Sequence, residues 1–212
     1  MADLILAAPE IFLICAISVV LLTDVFLPGD QKNITYSLAL LSLVGTAAMT
    51  AYFSVDETVI GFSGSFVADP AGSVLKIFAY LMVAICFLYS RDYLERAGLL
   101  RGEFFVLGLF GLLGIMVIIS GHNLLTLYLG LELLSLSLYT LVAFNRDSGI
   151  CAESAMKYFV LGAIASGTLL YGISFLYGVT GTIELQALGE HFRESDVLSL
   201  PLILGLTFVI VG

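Results

Sequence analysis

Along this chain, long apolar blocks alternate with short polar interruptions. The blocks cover residues 5–27, 34–54, 71–90, 104–120, 123–144 and 154–179. Each is close to the ~20 residues a helix needs to cross a bilayer core. A seventh block begins near Leu198 and reaches Gly212 after only about 15 residues, too few to cross. The pattern predicts an all-α, polytopic transmembrane helix bundle with six complete helices plus a truncated seventh. It also predicts that the chain is a fragment of a longer protein. The interruptions carry turn chemistry. Pro28-Gly29-Asp30 separates the first two helices, and Asp69-Pro70 precedes the third with proline where a helix start tolerates it. Gly121-His122-Asn123 makes a tight turn between the fourth and fifth helices, and Asn145 to Gly149 ends the fifth. The link 180–197 is polar and acidic, and Ile183 to Phe192 within it predicts a short interfacial helix.

Composition sharpens this reading. The 212 residues are 60% apolar and 12% charged, with a mean hydropathy of +1.09. A soluble domain of this size has no interior large enough to hide that much apolar surface. The net charge of −9, with no basic patch or aromatic binding motif, argues against a nucleic-acid partner. Cys15, Cys86 and Cys151 are odd in number and scattered. They make neither a disulfide framework nor a metal site, and are expected to be buried small apolar side chains. The N-terminus has Asp3 and Glu10 and no Lys or Arg before its apolar run, the wrong charge for a signal peptide, so the first segment is expected to be a retained helix.

Basic residues orient the bundle. Lys32, Arg91, Arg96, Arg101 and Arg146 lie in or beside the odd-numbered loops, against Arg193 alone on the other side. The positive-inside rule then places the odd loops in the cytoplasm and the N-terminus outside. Small residues mark expected helix contacts: Gly108, Gly111 and Gly114 on the fourth helix, and Gly162 with Ser166 and Ala163 with Gly167 on the sixth.

Glu132 is the most informative position. Nine residues precede it in a helix starting at Asn123, which puts it roughly 14 Å deep in a ~30 Å core. An acid there costs several kcal/mol unless it faces a polar interior or is neutral. Tyr128, Ser135 and Tyr139 fall within about 60° of it on one helical stripe. A carboxyl so placed points to transport, while a protonated structural acid bonded to a neighbouring helix is the plain alternative. Lys157 lies about one turn inside the sixth helix, with Glu153 one turn before it. Snorkelling and a surface ion pair account for that lysine without function; Thr168 and Tyr171 continue its stripe inward and suggest a polar path. Lys76, near the outer end of the third helix, is expected to snorkel, and Glu10 and Asp24 to be interfacial. His122 and His191 are expected in solvated loops, with no ligand spacing. The chain has no glycine-rich dinucleotide fingerprint, no cysteine cluster for iron–sulfur and no helix-buried histidine for haem, so it is not expected to handle electrons itself.

The stretch from Gly121 through Glu132-Leu133-Leu134-Ser135 to Tyr139 resembles the fifth transmembrane helix of the antiporter-like subunits of respiratory complex I. Its Glu-Leu-Leu-Ser wording is closer to the subunit N type than to the L and M types. Ser90-Arg91-Asp92-Tyr93-Leu94 and Glu153-Ser154-Ala155-Met156-Lys157-Tyr158-Phe159 also resemble that type, so the likeness covers essentially the whole chain. It implies two units: helices 1–3 over 1–103, and the start of a first antiporter-like repeat over 104–212. It further implies proton translocation coupled to NADH oxidation and quinone reduction, with Glu132 and Lys157 on the proton path. The fifth-helix glutamate would pair with a seventh-helix lysine expected a few residues past Gly212. NADH, FMN, iron–sulfur clusters and quinone would be held elsewhere in the complex, with no cofactor in this chain. Other membrane subunits would be its partners, in a bacterial inner membrane with the N-terminus periplasmic. A multi-subunit cation/proton antiporter and a membrane-bound hydrogenase share the same helices, and a structural scaffold is the reading from a different class.

Overall fold

The computed structural model describes residues 2–26, 32–194 and 199–212; the Pro28-Gly29-Asp30 turn and the Lys32 side chain lie outside the described set. Among the described residues, six helices are long and apolar enough to cross a membrane. A short helix α1 (Ala2–Leu6) leads into α2 (Ala8–Phe26), followed by α3 (Lys32–Tyr52), α4 (Pro70–Arg96), α5 (Gly102–Ile119), α6 (Leu124–Val142) and α7 (Gly149–Thr180). α8 (Leu185–Glu194) answers to the expected interfacial helix, and α9 (Leu200–Val211) to the incomplete seventh span. The caps fit the turn residues. Asp69 accepts from Gly72 N at 2.7 Å with Pro70 as the first helical residue, and Asn123 accepts from Thr126 N at 2.7 Å. α4 runs six residues beyond its expected end at 90, carrying the amphipathic Arg91–Arg96 turn past the apolar block.

α5 is the hub, packed against α2, α3, α4 and α6. Its Phe105, Leu109, Leu112 and Met116 are fully buried against Leu13, Ile17, Ala39 and Phe87. In lipid there is no hydrophobic drive between helices, so close packing holds them together. The glycines of α5 serve that end. A Cβ at Gly108 would strike the Phe87 ring, and one at Gly114 would sit 2.8 Å from the Gly130 carbonyl oxygen, because the α5 and α6 backbones touch there. On α7 the expectation holds only in part. Gly162 lies under the Tyr139 ring, but Gly167 faces open space, and the crossing with α9 is made instead at Gly172 and Gly205. A side chain at Gly167 would therefore meet no neighbouring helix among the described residues.

The link 55–70 holds an antiparallel hairpin that the sequence pattern does not announce, β1 (Val59–Gly61) with β2 (Phe66–Ala68). The reversal uses positive φ at Phe62, Ser63 and Gly64 (51°, 53° and 86°), and a bulky Phe at such a position is no turn signal. The hairpin is stitched to the α5–α6 turn, with Val67 N donating to Ser120 O at 2.8 Å and His122 N to Ser65 O at 3.2 Å, and that turn is joined to the next link by Leu124 N donating to Ile183 O at 3.0 Å. The opposite end of the bundle is the basic end. There Arg146 pairs with Glu103, and the Arg91 guanidinium lies 4.9 Å from the Tyr36 ring centroid.

Four sequence expectations are corrected. Lys76 does not snorkel but is buried, as is Glu10, with which it pairs across 2.6 Å. Asp24 is likewise buried rather than interfacial and accepts from Thr35 at 2.9 Å. Cys15 and Cys86 are exposed on the outside of the bundle, because in a membrane the apolar surroundings they need include lipid. His191 sits in α8, not in a loop.

Candidate functional site

Glu132 occupies the ninth position of α6, midway along its span, and faces α7. The close approach of α6 to α5 at Gly130 and Gly114 fixes the rotation of α6, so its polar stripe turns away from α5. Ser166 Oγ donates to Glu132 Oε2 at 2.5 Å, and the Tyr128 hydroxyl lies 3.1 Å from the same Ser166 Oγ. A hydroxyl has one proton to donate. With Ser166 committed to the carboxylate, Tyr128 is the donor to Ser166, and a directed row Tyr128, Ser166, Glu132 follows.

The carboxyl opens on a cavity of about 130 Å³ lined by Tyr128, Glu132, Ser135, Tyr139, Gly162, Ser166 and Gly212, with Leu131, Ala165 and Leu169 completing the wall. It has polar groups on several sides and room for more than one water. The stripe read from the sequence, Tyr128, Ser135 and Tyr139, lines this one space. Gly162 leaves the gap that admits the Tyr139 ring, and Tyr139 packs edge-on against Tyr158 at 4.7 Å between centroids. On the far side the end of α9 approaches α7 so closely that a Cβ on Gly212 would lie 2.7 Å from Ala165 O. The seventh span thus leads its chain directly to the carboxyl's cavity.

Lys157 is elsewhere. It donates to Glu153 at 2.6 Å on the outer face of α7, both side chains more than two-thirds exposed. It lies nine residues, roughly 13 Å, along α7 from Ser166. Thr168 bonds back to Ile164 O, and Tyr171 packs on Phe175 and Phe208, so neither lines the Glu132 cavity. Ser166 is the residue whose role the sequence reading missed. It stood out only as a small contact residue, although a hydroxyl placed mid-span on the neighbouring helix was the available signal. The carboxyl–hydroxyl arrangement can hold a proton, pass it to water or stabilise the charged acid by hydrogen bonds.

Residues 121–212 match the family model described as NADH:quinone oxidoreductase/Mrp antiporter, TM. The NADH-quinone oxidoreductase subunit N of Thioalkalivibrio sulfidiphilus is 49% identical over 205 residues, which is 96% of this chain and 43% of that protein. A chain in the structure of respiratory complex I from Thermus thermophilus with bound aureothin is 26% identical, with a TM-score of 0.74 over 96% of this chain and 42% of that one. A chain of the archaeal membrane-bound sulfane sulfur reductase shares the fold, with a TM-score of 0.76 at 20% identity over 98% of this chain and 43% of that one. The chain spans somewhat less than half the length of the curated relatives it matches. Along essentially its whole length, the chain resembles the N-terminal portion of NADH-quinone oxidoreductase subunit N.

Proposed function

We propose that this chain forms part of a membrane-arm subunit of a proton-translocating NADH-quinone oxidoreductase, with Glu132 as its proton-handling group. The observation that carries this reading is the Glu132 carboxyl, mid-span, hydrogen-bonded by Ser166 and open to a cavity of about 130 Å³ at the end of α9. Intramembrane carboxyls of this kind mark ion paths. A lysine on the continuation of the seventh span would face the same cavity. Its approach would favour the charged carboxylate and its withdrawal the neutral acid. Glu132 would then load and release a proton as that cation moves, with Ser166 and Tyr128 holding the charged form between events. Lys157 would serve the basic-end approach to the site, less critically than Glu132.

NADH, FMN, iron–sulfur clusters and quinone belong, on this proposal, to other subunits, and this chain contributes no redox centre. The partners are the other membrane subunits and the bilayer of a bacterial inner membrane. The loop charges favour a cytoplasmic basic end and a periplasmic N-terminus. Cysteine labelling at Arg96 and at Asp56 should show opposite accessibility in oriented vesicles; labelling of both from one side would reverse or sink the topology.

The decisive test is Glu132→Gln in the complete subunit within its complex. Glutamine keeps the size and hydrogen bonding but cannot titrate. Assembly should be preserved and quinone-coupled proton transfer reduced by at least ~10-fold, with Glu132→Asp retaining part of it. Pumping at the wild-type rate and proton-to-electron ratio would make Glu132 a packing residue. The family description that also names Mrp antiporters supports a second reading as a cation/proton antiporter subunit. Genes for quinone reductase subunits beside this one would favour the first.

A further inference from the structure

A pair of ionisable groups is buried in the chain, far in sequence from Glu132. Lys76, two turns into α4, donates to Glu10 Oε1 of α2 at 2.6 Å, and each side chain is only 7% exposed. Glu10 Oε2 is buried too and has no hydrogen-bond partner among the described residues. The Lys76 ammonium also lies 5.4 Å from the centroid of the Phe66 ring on β2. Beside it is a cavity of about 20 Å³ lined in part by Lys76, Asp69, Ser73, Thr50 and Ser120. That is enough for one water with several polar partners. Tyr80, one turn further along α4, is buried and tied to Thr50 of α3 at 2.9 Å.

Stability alone is a poor reason for such a pair. Well-packed apolar residues in place of a buried ion pair are often neutral or stabilising, and in lipid they have nothing to desolvate. Paired ionisable groups inside a membrane mark ion or proton sites by default. We propose that Glu10, Lys76 and the water-sized cavity beside them form a second proton-binding site, at the hairpin end of the bundle and separate from Glu132. The Lys76 ammonium, which lines the cavity, passes its proton to Glu10 across their hydrogen bond and takes another from a protonated cavity water, giving a neutral carboxylic acid beside the restored ammonium. The Phe66 ring face and the Asp69 carboxylate then remain to balance the cation. The reverse steps return one proton to water and restore the ion pair. None of these residues lines the Glu132 cavity, so the site stands or falls independently of it.

The test is pH-difference infrared spectroscopy on the complete subunit in its membrane complex, comparing wild type with Glu10→Asp, Glu10→Gln and Glu132→Gln. A carboxylic C=O band that appears on acidification, shifts in frequency in Glu10→Asp, vanishes in Glu10→Gln and persists in Glu132→Gln supports the site. A set of bands unchanged in both Glu10→Asp and Glu10→Gln overturns it. Proton transfer per assembled complex should also fall several-fold in Lys76→Met. If single variants assemble poorly, the double variant Glu10→Leu/Lys76→Leu is compared. Full recovery of both assembly and proton transfer in that apolar pair makes the contact a packing device and overturns the proposal. Recovered assembly with lowered proton transfer supports it. If Leu/Leu also fails to assemble, the wild-type and Glu10→Asp spectra decide alone.

Discussion

The two halves of the bundle are built to different standards of closure. In α5, half of the spanning stretch is buried within the chain, against 11% for α6 and 17% for α7. The candidate proton site lies on the sparsely covered pair, while the hub carries Phe105, Leu109, Leu112 and Met116 and no ionisable side chain in its middle. A close-packed interior tolerates neither voids nor water. A carboxyl that exchanges protons needs both. The difference teaches that α5 works as a rigid spine, and that α6 owes its orientation to its close packing along that spine and its chemistry to the looser face turned toward α7. The same contrast appears between the two acids. Glu10 is paired with a lysine at 2.6 Å beside a cavity of about 20 Å³, whereas Glu132 is held by a hydroxyl and opens on one of about 130 Å³.

The sharpest way to break this comparison is at the spine. Gly114→Leu forces a side chain into the α6 backbone and should cost about 3 kcal/mol or more, read as lost assembly or a lowered unfolding midpoint in detergent. Gly167→Leu, where a Cβ meets open space, should be close to neutral inside this chain. Equal losses would mean that the α7 face is as tightly covered in the complete protein as α5 is here. A smaller effect is expected at the polar face. Ser166→Ala removes the hydrogen bond to Glu132, and such bonds to a charged group contribute about 1.5–3 kcal/mol. Proton transfer should drop, with assembly unchanged. A wild-type rate would show that water replaces the hydroxyl at no cost. The smallest effect is expected at Lys157→Ala. Its exposed pair with Glu153 contributes at most about 1 kcal/mol, so assembly should survive while proton transfer falls less than in Glu132→Gln. Unchanged activity per assembled complex in both Lys157→Ala and Glu153→Ala would leave that pair purely structural.

Much of this was legible from residues alone, for a physical reason. A bilayer imposes one length scale and forbids unsatisfied backbone, so apolar blocks and their breaks translate directly into helices. That is why the six spans came out within about six residues of their observed ends, and the Gly121-His122-Asn123 turn fell between α5 and α6 as expected. Helical periodicity likewise placed Tyr128, Ser135 and Tyr139 on the face of Glu132, and one cavity gathers them. The hairpin at 59–68 escaped because its reversal is carried by Phe62 and Ser63 rather than by a residue pair suited to positive φ. Its backbone partners, Ser120 and His122, become neighbours only after the helices have packed.

What the sequence determined by itself is therefore one-dimensional: which segments span, how deep each polar residue sits, and which residues share a helical face. What only the tertiary structure decided is which face meets which. Depth alone made Lys76 look like a lysine reaching for the surface; the packing of α2 against α3 and α5, with α4 beside them, set it opposite Glu10, 66 positions earlier, and buried both. Ser166 became the partner of Glu132 in the same way. Helical rotation about the long axis is fixed by side-chain packing between helices, and no local pattern within either helix encodes the residue waiting on the other.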